Sequence, residues 1–511
     1  MQQELIEKKR AIIGVFLKKG LLVSSELLNE INDDEHASRI FDILNSEQTD
    51  NLHVVGLEMN RLNSLINKTK SNKTKSQMTE TSAEKSSAEN SNNKVKVIYS
   101  YNDEPKKRDP QDFVDYFNNK YRAIERILHQ HQELKNIVSI NRITNKKEKE
   151  GISIIGIVSG KQITKNGNLV LLIEDPTGQK KIVVNKNKPS LFNDAKDIVL
   201  DEVIGVVGVN SDSIVFANNL VWPDVPANKE LKKAGQEKYA LFLSDLHVGS
   251  SKFLPDDFEK FLKWINGSIG NEQQKHIAKN VEYIFIAGDL VDGCGIYPEQ
   301  DKELSIKDIY EQYKECARLL KQIPPHIPLV ICPGNHDALR ISEPQPSLSK
   351  EFAKPLHEIN NTIMVSNPSM INIHHSLDFT GLDVLMYHGY SFDYFVAEVD
   401  SLRNQGGYDR ADLIMKFLLK RRHLAPSHLS TLYIPDSKKD PLVIEKIPDI
   451  FLSGHIHKTA TASYRGITLI CGSCWQSKTA FQEKVGHNPE PSRVPIVNLQ
   501  TRDVKILKFG Q

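Results

Sequence analysis

Cysteine is scarce in this chain, five in 511 residues and an odd number. That excludes a disulfide-stapled scaffold and points to a reducing compartment. Long apolar runs are missing too. No stretch of 18 or more apolar residues occurs, which excludes a transmembrane helix. The first apolar stretch, Ala11 to Leu22, is broken by Lys18 and Lys19 and has no small-residue cleavage site, so a secretory signal is not expected. Neither sign of charge dominates: 66 Lys and Arg stand against 65 Asp and Glu, a formal charge of +1. This excludes a uniformly basic coat for nucleic acid but leaves room for a local basic groove. A glycine-rich phosphate loop of the P-loop kind is also lacking, so the chain is not expected to use nucleotide energy.

What is present is a globular balance, 39% hydrophobic and 26% charged, over a length that suggests about three folded units. Residues 1–62 read as a helical N-terminal module. Leu5, Ile12, Ile13, Phe16 and Leu17 keep helical spacing, Gly20 interrupts it, and Leu27, Leu28, Ile31 and Ile40 resume it. Residues 63–108 read as a disordered tether, because from Asn67 to Lys94 the apolar content collapses to Met78, Ala83 and Ala88. Such a segment buries too little surface to offset its ordering entropy. Residues 109–228 combine a helical lead-in with five short strands, over Ile152–Val158, Leu169–Ile173, Lys181–Val184, Glu202–Val209 and Ser213–Phe216. Turns are expected at Lys165-Asn-Gly167 and Asp175-Pro-Thr-Gly178. This spacing suits a small all-β barrel of the OB type. Between Gly151 and Val225 only Phe192, Phe216 and Trp222 are aromatic, which favours scaffolding or subunit contact over stacking of single-stranded nucleic acid. Residues 229–511 alternate strands with helices, an α/β pattern.

Five short motifs stand at the ends of apolar runs in this last region: Leu243-Ser-Asp-Leu-His247, Ala287-Gly-Asp289, Pro333-Gly-Asn-His-Asp337, Tyr387-His-Gly389 and Ser453-Gly-His-Ile-His457. In open α/β sheets ligands collect beyond the carboxyl ends of strands, where these loops are expected to converge. Along an extended segment Asp-x-His and His-x-His put both side chains on one side, able to reach one ion. Carboxylates, an amide oxygen and several imidazoles suit two divalent transition ions, Mn foremost, with Fe or Zn as alternatives, and Asp289 as the bridge. Two such ions clamp a phosphoryl group and supply hydroxide near neutral pH, which phosphodiester hydrolysis requires. Gly288, Gly334 and Gly454 are expected to let the backbone turn beside the ions. A single motif of this kind is weak, and the weight lies in five of them in strand-end positions.

The set resembles the calcineurin-like metallophosphoesterase superfamily, whose fold is a two-sheet α/β domain, and within it the nuclease branch. The segments Met415-Lys-Phe-Leu-Leu-Lys-Arg-Arg-His-Leu-Ala-Pro426, Pro448-Asp-Ile-Phe-Leu-Ser-Gly-His455 and Phe481-Gln-Glu-Lys-Val-Gly-His-Asn-Pro-Glu-Pro491, followed by Val494-Pro-Ile-Val-Asn-Leu499, are similar to the small subunits of archaeal family D DNA polymerases. The similarity covers residues 100 to 511, and the N-terminal part matches in kind only. It implies that Asp245, His247, Asp289 and His457 hold one ion, and that Asp289, Asn335, His388 and His455 hold the other. It also implies that His336 stabilises the transition state or protonates the leaving 3′ oxygen. Break-repair nucleases of the superfamily carry a histidine three residues after the bridging aspartate, where this chain has Asp292. Eukaryotic polymerase accessory subunits resemble the architecture but have lost most ligands, whereas here the positions are filled.

The resemblance implies a proofreading 3′→5′ exonuclease subunit, cytoplasmic and associated with the nucleoid. Its expected partners are a large catalytic polymerase subunit, primer–template DNA and a sliding clamp, although no clamp-binding peptide is evident, and no membrane. A non-catalytic assembly subunit and a free-standing metallophosphodiesterase remain as alternatives. Lys420, Arg421 and Arg422 are expected on a helical insertion as DNA-phosphate contacts, against a solvated face or a subunit contact. Cys471-Gly-Ser-Cys474 is a single pair without zinc-type partners, and Cys294, Cys316 and Cys332 are expected to be buried apolar residues.

Overall fold

The computed structural model describes residues 95–102, 106–143, 149–211 and 213–510. The helical module expected over 1–62 and the tether up to residue 94 lie outside the described residues. In chain order the strands are β1 (Val95–Ser100), β2 (Gly151–Ile163), β3 (Leu169–Asp175), β4 (Gly178–Val184), β5 (Val203–Ser211), β6 (Ile214–Val221), β7 (Tyr239–Leu243), β8 (Val281–Ala287) and β9 (Leu329–Cys332). They continue as β10 (Thr362–Met364), β11 (Ser369–Ile373), β12 (Leu382–Met386), β13 (Ile450–Ser453), β14 (Ala460–Tyr464), β15 (Ile467–Cys471), β16 (Arg493–Asn498) and β17 (Val504–Lys508).

Strands β2 to β6 close into a five-stranded barrel in the order β2-β3-β4-β6-β5. Alternation makes its interior: Ile152, Ile154, Leu169, Leu171, Ile173, Ile182, Val184, Ile204 and Val206 share one core. On the outside, the helix Pro110–Leu128 lays Tyr121, Ile124 and Leu128 against Ile155, Val203 and Val221. Of the three aromatics expected there, Trp222 is buried, Phe192 packs partly against the core, and Phe216 is 44% exposed.

The remaining strands form two six-stranded sheets, β1-β11-β12-β13-β15-β14 and β10-β9-β8-β7-β16-β17. The sheets share an inner core in which Ala240, Phe242, Phe285 and Val330 of one meet Ile371, Val384, Leu452 and Ile470 of the other. Helices cover the outer faces. Leu241, Leu243, Ile284 and Ile286 pack against Phe258, Phe261, Tyr313 and Leu320, while Leu385, Phe451 and Leu469 pack against Phe395, Ile414 and Leu418. Strands buried on both faces read as continuous apolar runs rather than alternating ones, which is why β7, Tyr-Ala-Leu-Phe-Leu, has no charged or amide side chain.

The structure corrects three expectations. Residues 95–100, placed in the tether, form an edge strand antiparallel to β11, with Val95 opposite Ile373 and Ser100 opposite Ser369. Val95-Lys-Val-Ile-Tyr-Ser100 is rich in β-branched residues and completes the hydrogen bonds of a sheet edge, so the polar composition ends before it. Cys294 is exposed, whereas Cys316 and Cys332 are buried. The third concerns the basic run. Arg421 and Arg422 are only 4% and 3% exposed. Arg421 pairs with the buried Glu202 of the barrel and donates from Nη2 to the Asp197 carbonyl at 2.7 Å. Arg422 donates to the carbonyls of Ile444 and Glu445, and Lys420 lies 3.9 Å over the Trp222 ring. Lys420 and Arg421 tie the insertion helix Ala411–Arg421 to the barrel and Arg422 ties it to residues 444–445, so the two arginines are taken up inside the fold rather than offered to a DNA phosphate. Among the described residues no helix is long and apolar enough to cross a membrane.

Removing one member of a buried ion pair strands the other charge. Arg421→Met is expected to cost about 3–5 kcal/mol in urea unfolding, and adding Glu202→Leu to recover most of it. A cost near zero for the single variant would show that this pair does not hold the seam.

Candidate metal centre

Strands β7, β8 and β9 pair in parallel, as do β12 and β13. Parallel pairing brings the carboxyl ends of neighbouring strands to one edge, and the five motif loops follow those five ends. The loops are tight. Asp245, His247, Asp289, His455 and His457 all have left-handed backbone, with φ between 50° and 72°. That conformation costs a residue with a Cβ about 1–2 kcal/mol, and such costs concentrate at functional sites. It replaces the extended geometry expected for the two x-spaced pairs: Asp245 and His247 still share a cluster, while the His-x-His pair separates as the family resemblance implied. His455 and His457 do not point at one place: His457 joins Asp245 and His247, whereas His455 joins Asp289 and His388. Gly334 is needed for close approach, since a Cβ there would collide with the Asp289 carboxylate.

Three close groups result, one of them His247 with Asp292 and His336, and the other two clusters hold the expected ligands. In the first of these two, His247 Nε2 lies 3.0 Å from His457 Nε2, which is 3.5 Å from Asp245 Oδ1. In the second, His388 Nε2 lies 3.0 Å from Asn335 Oδ1 and 3.3 Å from Asp289 Oδ2. Asp289 Oδ2 is also 3.8 Å from His247 Nε2, so this carboxylate stands between the clusters. Asp245, His247, Asp289, His388 and His457 are buried, and Asn335 and His455 are half-buried. The structure thus brings together all seven side chains expected as ligands, and His336 with them: its ring packs edge-on against that of His247 at 4.6 Å.

A second layer aims the imidazoles. His247 Nδ1 is 3.1 Å from Asp292 Oδ1, and His388 Nδ1 donates to the Ala287 carbonyl at 2.8 Å, which leaves both Nε2 atoms facing inward. His455 Nε2 is 3.0 Å from Asp393 Oδ2, and the Gln482 amide is 2.8 Å from His457 Nδ1. Asp292 is fixed in turn by Gln300 and Gln476, each donating to one of its carboxylate oxygens, at 3.0 and 2.8 Å. His336 donates from Nδ1 to the Asp292 carbonyl at 2.8 Å and from its backbone N–H to Asp289 Oδ1 at 2.9 Å. Asp393, Gln482, Gln300 and Gln476 escaped sequence reasoning. Asp393 follows the His388 motif by five residues in the first turn of a helix, a placement with a purely local explanation, and the three glutamines belong to no motif.

Charge follows from this packing. Burial works to raise the Asp289 carboxyl, but His388, His336 and His247 together hold it well below the usual carboxylate range. Burial likewise opposes a charge on His388, yet Asp289 and Asp245 lift it to about 10. Burial pushes the His336 imidazole below its ordinary value. Asp337, which accepts from the Gly334 N–H, is pushed up to about 7 by burial and by the Asp289 charge. Buried anions and inward imidazole lone pairs, held by outward hydrogen bonds, fit divalent transition ions.

Losing an outer partner of a ligand histidine typically weakens metal affinity about 10–100-fold. Asp292→Ala is expected to do so in a calorimetric titration of the metal-stripped chain with Mn²⁺. Unchanged affinity would show that Asp292 does not position His247.

Comparisons with known proteins agree with this region of the chain. The family of B-subunits of DNA polymerases alpha and epsilon matches residues 240–461. The DNA polymerase II small subunit of Methanothermobacter thermautotrophicus is 40% identical over 399 residues, 78% of this chain and 79% of that one. Its counterpart in Pyrococcus furiosus is 38% identical over 401 residues, 78% of this chain and 64% of that longer protein. A solved structure described as a novel archaeal phosphodiesterase aligns with 53% of this chain and 98% of its own at 13% identity and a TM-score of 0.27. The chain belongs to the family of DNA polymerase II small subunits.

Proposed function

We infer that this chain is the 3′→5′ exonuclease of a replicative DNA polymerase, removing terminal nucleotides for a large catalytic subunit that is a separate chain and that it also helps to assemble. In this reading residues 229–511 are a calcineurin-like phosphodiesterase domain that borrows β1 as an edge strand, and residues 109–228 are a helical lead-in with an OB-type barrel. Its partners are the large subunit, primer–template DNA and, through the family resemblance, a sliding clamp. The observation that carries the proposal is the pair of His/Asp clusters with the Asp289 carboxylate between them, and His336 beside them with one of its ring nitrogens unengaged.

Asp245, His247, Asp289 and His457 would hold one cation, and Asp289, Asn335, His388 and His455 the other. When bound, two divalent ions, Mn foremost, neutralise the phosphate and acidify water. The chain's own residues do the rest. Asp292 and the Ala287 carbonyl keep His247 and His388 turned inward. His336, its Nδ1–H given to the Asp292 carbonyl, leaves Nε2 free, and that atom would take up a proton in the site and pass it to the leaving 3′ oxygen. Water adds to the terminal phosphorus and the P–O3′ bond breaks. A nucleoside 5′-monophosphate leaves, and the shortened strand keeps a 3′ hydroxyl.

The test is Mn²⁺-dependent shortening of a 5′-labelled primer with a mismatched 3′ end, by the chain alone and with its large subunit. Stepwise shortening is expected, slowed about 100-fold or more by His336→Ala. No shortening with any divalent metal, even with the large subunit present, would leave an assembly subunit or a small-molecule diesterase.

A further inference from the structure

Next to the two clusters lies a feature that neither the metal geometry nor the core requires. The Tyr297 and Phe481 rings are stacked, with centroids 5.4 Å apart and planes 26° from parallel. Tyr297 sits on the loop after β8, with its ring 6.3 Å from that of His336. Phe481 sits on the short helix Ala480–Lys484 beyond β15. Glu303 ties the two segments, accepting from the Tyr297 hydroxyl at 3.3 Å and from the Ala480 N–H at 3.1 Å.

That short helix buries none of its residues. Its N-terminus is closed by a capping box between Thr479 and Gln482, and the Gln482 amide reaches His457 at 2.8 Å. The helix is therefore anchored to the metal centre rather than to the core. On it Phe481 is 43% exposed, and Val485, one turn on, is 48% exposed. An aromatic ring half in water, stacked against a second ring that itself lies beside His336 and held next to the His/Asp clusters, has the form of a stacking platform. Packing offers no other reason for it: among the described residues Phe481 joins none of the hydrophobic clusters.

We propose that Phe481, backed by Tyr297, stacks the nucleobase of the 3′-terminal nucleotide while its phosphate lies at the metal clusters beside His336. The proposal rests on the nuclease reading above and adds the class of end that is recognised. Every base has a π face, so the platform does not select sequence. It does select an unpaired base, because a base must leave its neighbour in the duplex to lie on a protein ring, and leaving is least costly for a mismatched or single-stranded end. Preference for frayed termini then follows from stacking geometry, with no contact that reads the mismatch itself.

Two measurements separate this proposal from the nuclease reading. In the first, cleavage of a single-stranded oligonucleotide is compared with cleavage of the same strand ending in an abasic residue. Stacking on an aromatic is worth about 1–3 kcal/mol per base, so the wild-type chain is expected to prefer the normal end by about 5–150-fold. Phe481→Ala should collapse that ratio toward one, and Phe481→Trp should restore it. An equal loss on both ends, with the ratio intact, would overturn the proposal and leave Phe481 a structural role. The second measurement needs no catalysis: with divalent ions chelated, a 3′-terminal 2-aminopurine is expected to be quenched on binding the wild-type chain and the Phe481→Trp variant, but not Phe481→Ala. Absence of quenching by the wild-type chain would overturn the platform whatever the cleavage results. Quenching without any cleavage would sink the nuclease reading and keep the nucleobase site.

Discussion

The organisation of this protein depends on one buried carboxylate. Asp289 is 1% exposed, and an isolated charge so placed would cost many kcal/mol. It is tolerated because it is surrounded: the His336 N–H donates to one oxygen, and the imidazoles of His388 and His247 face the other. Meeting that demand requires residues from both sheets. His247 comes from the end of β7 and His336 from the end of β9 in one sheet, while His388 follows β12 in the other. The shared apolar core between the sheets sets the distance at which these ends meet. The left-handed backbone at five ligand positions is held against its own preference by the packing around them.

Precision in the centre is supplied one layer out. Asp292 has two distinct jobs, its carboxylate aiming His247 and its carbonyl aiming His336. It thereby links the His247 cluster to the His336 imidazole. Gln300 and Gln476 hold it from two separate segments, so the loop after β8 and the segment after β15 are coupled through one side chain. The same two segments carry Tyr297 and Phe481, which places the rim under the control of the residues that order the floor.

The barrel is tied to the α/β domain by charge that the domain seam hides. Arg421 reaches from the insertion helix to Glu202 and the Asp197 carbonyl, and Lys420 covers Trp222. Lys420, Arg421 and Trp222 are therefore engaged in the contact between the two parts. Phe216 is left as the exposed aromatic among the three in that stretch.

Strand-end motifs and barrel alternation are local properties, and the sequence determines them by itself. Side-chain periodicity makes the barrel strands legible, and Asp, Asn and His directly after apolar runs mark which residues carry chemistry. Spacing does not say how those residues are shared, which the family resemblance implied and the tertiary structure explains. His455 and His457 are two apart in the chain yet serve different clusters, because a left-handed backbone replaces the extended geometry that periodicity assumes. Arg421 and Arg422 look like free cations in a polar run, but burial depends on what packs over a helix, here a barrel about 200 residues earlier in the chain. Residues 95–100 lack a strand's context in sequence because their partner, β11, lies far along the chain. Asp393 and Gln482 acquire meaning only from the atoms they face. Spacing reports what a segment can do, and contact between distant segments determines which of those capacities is used.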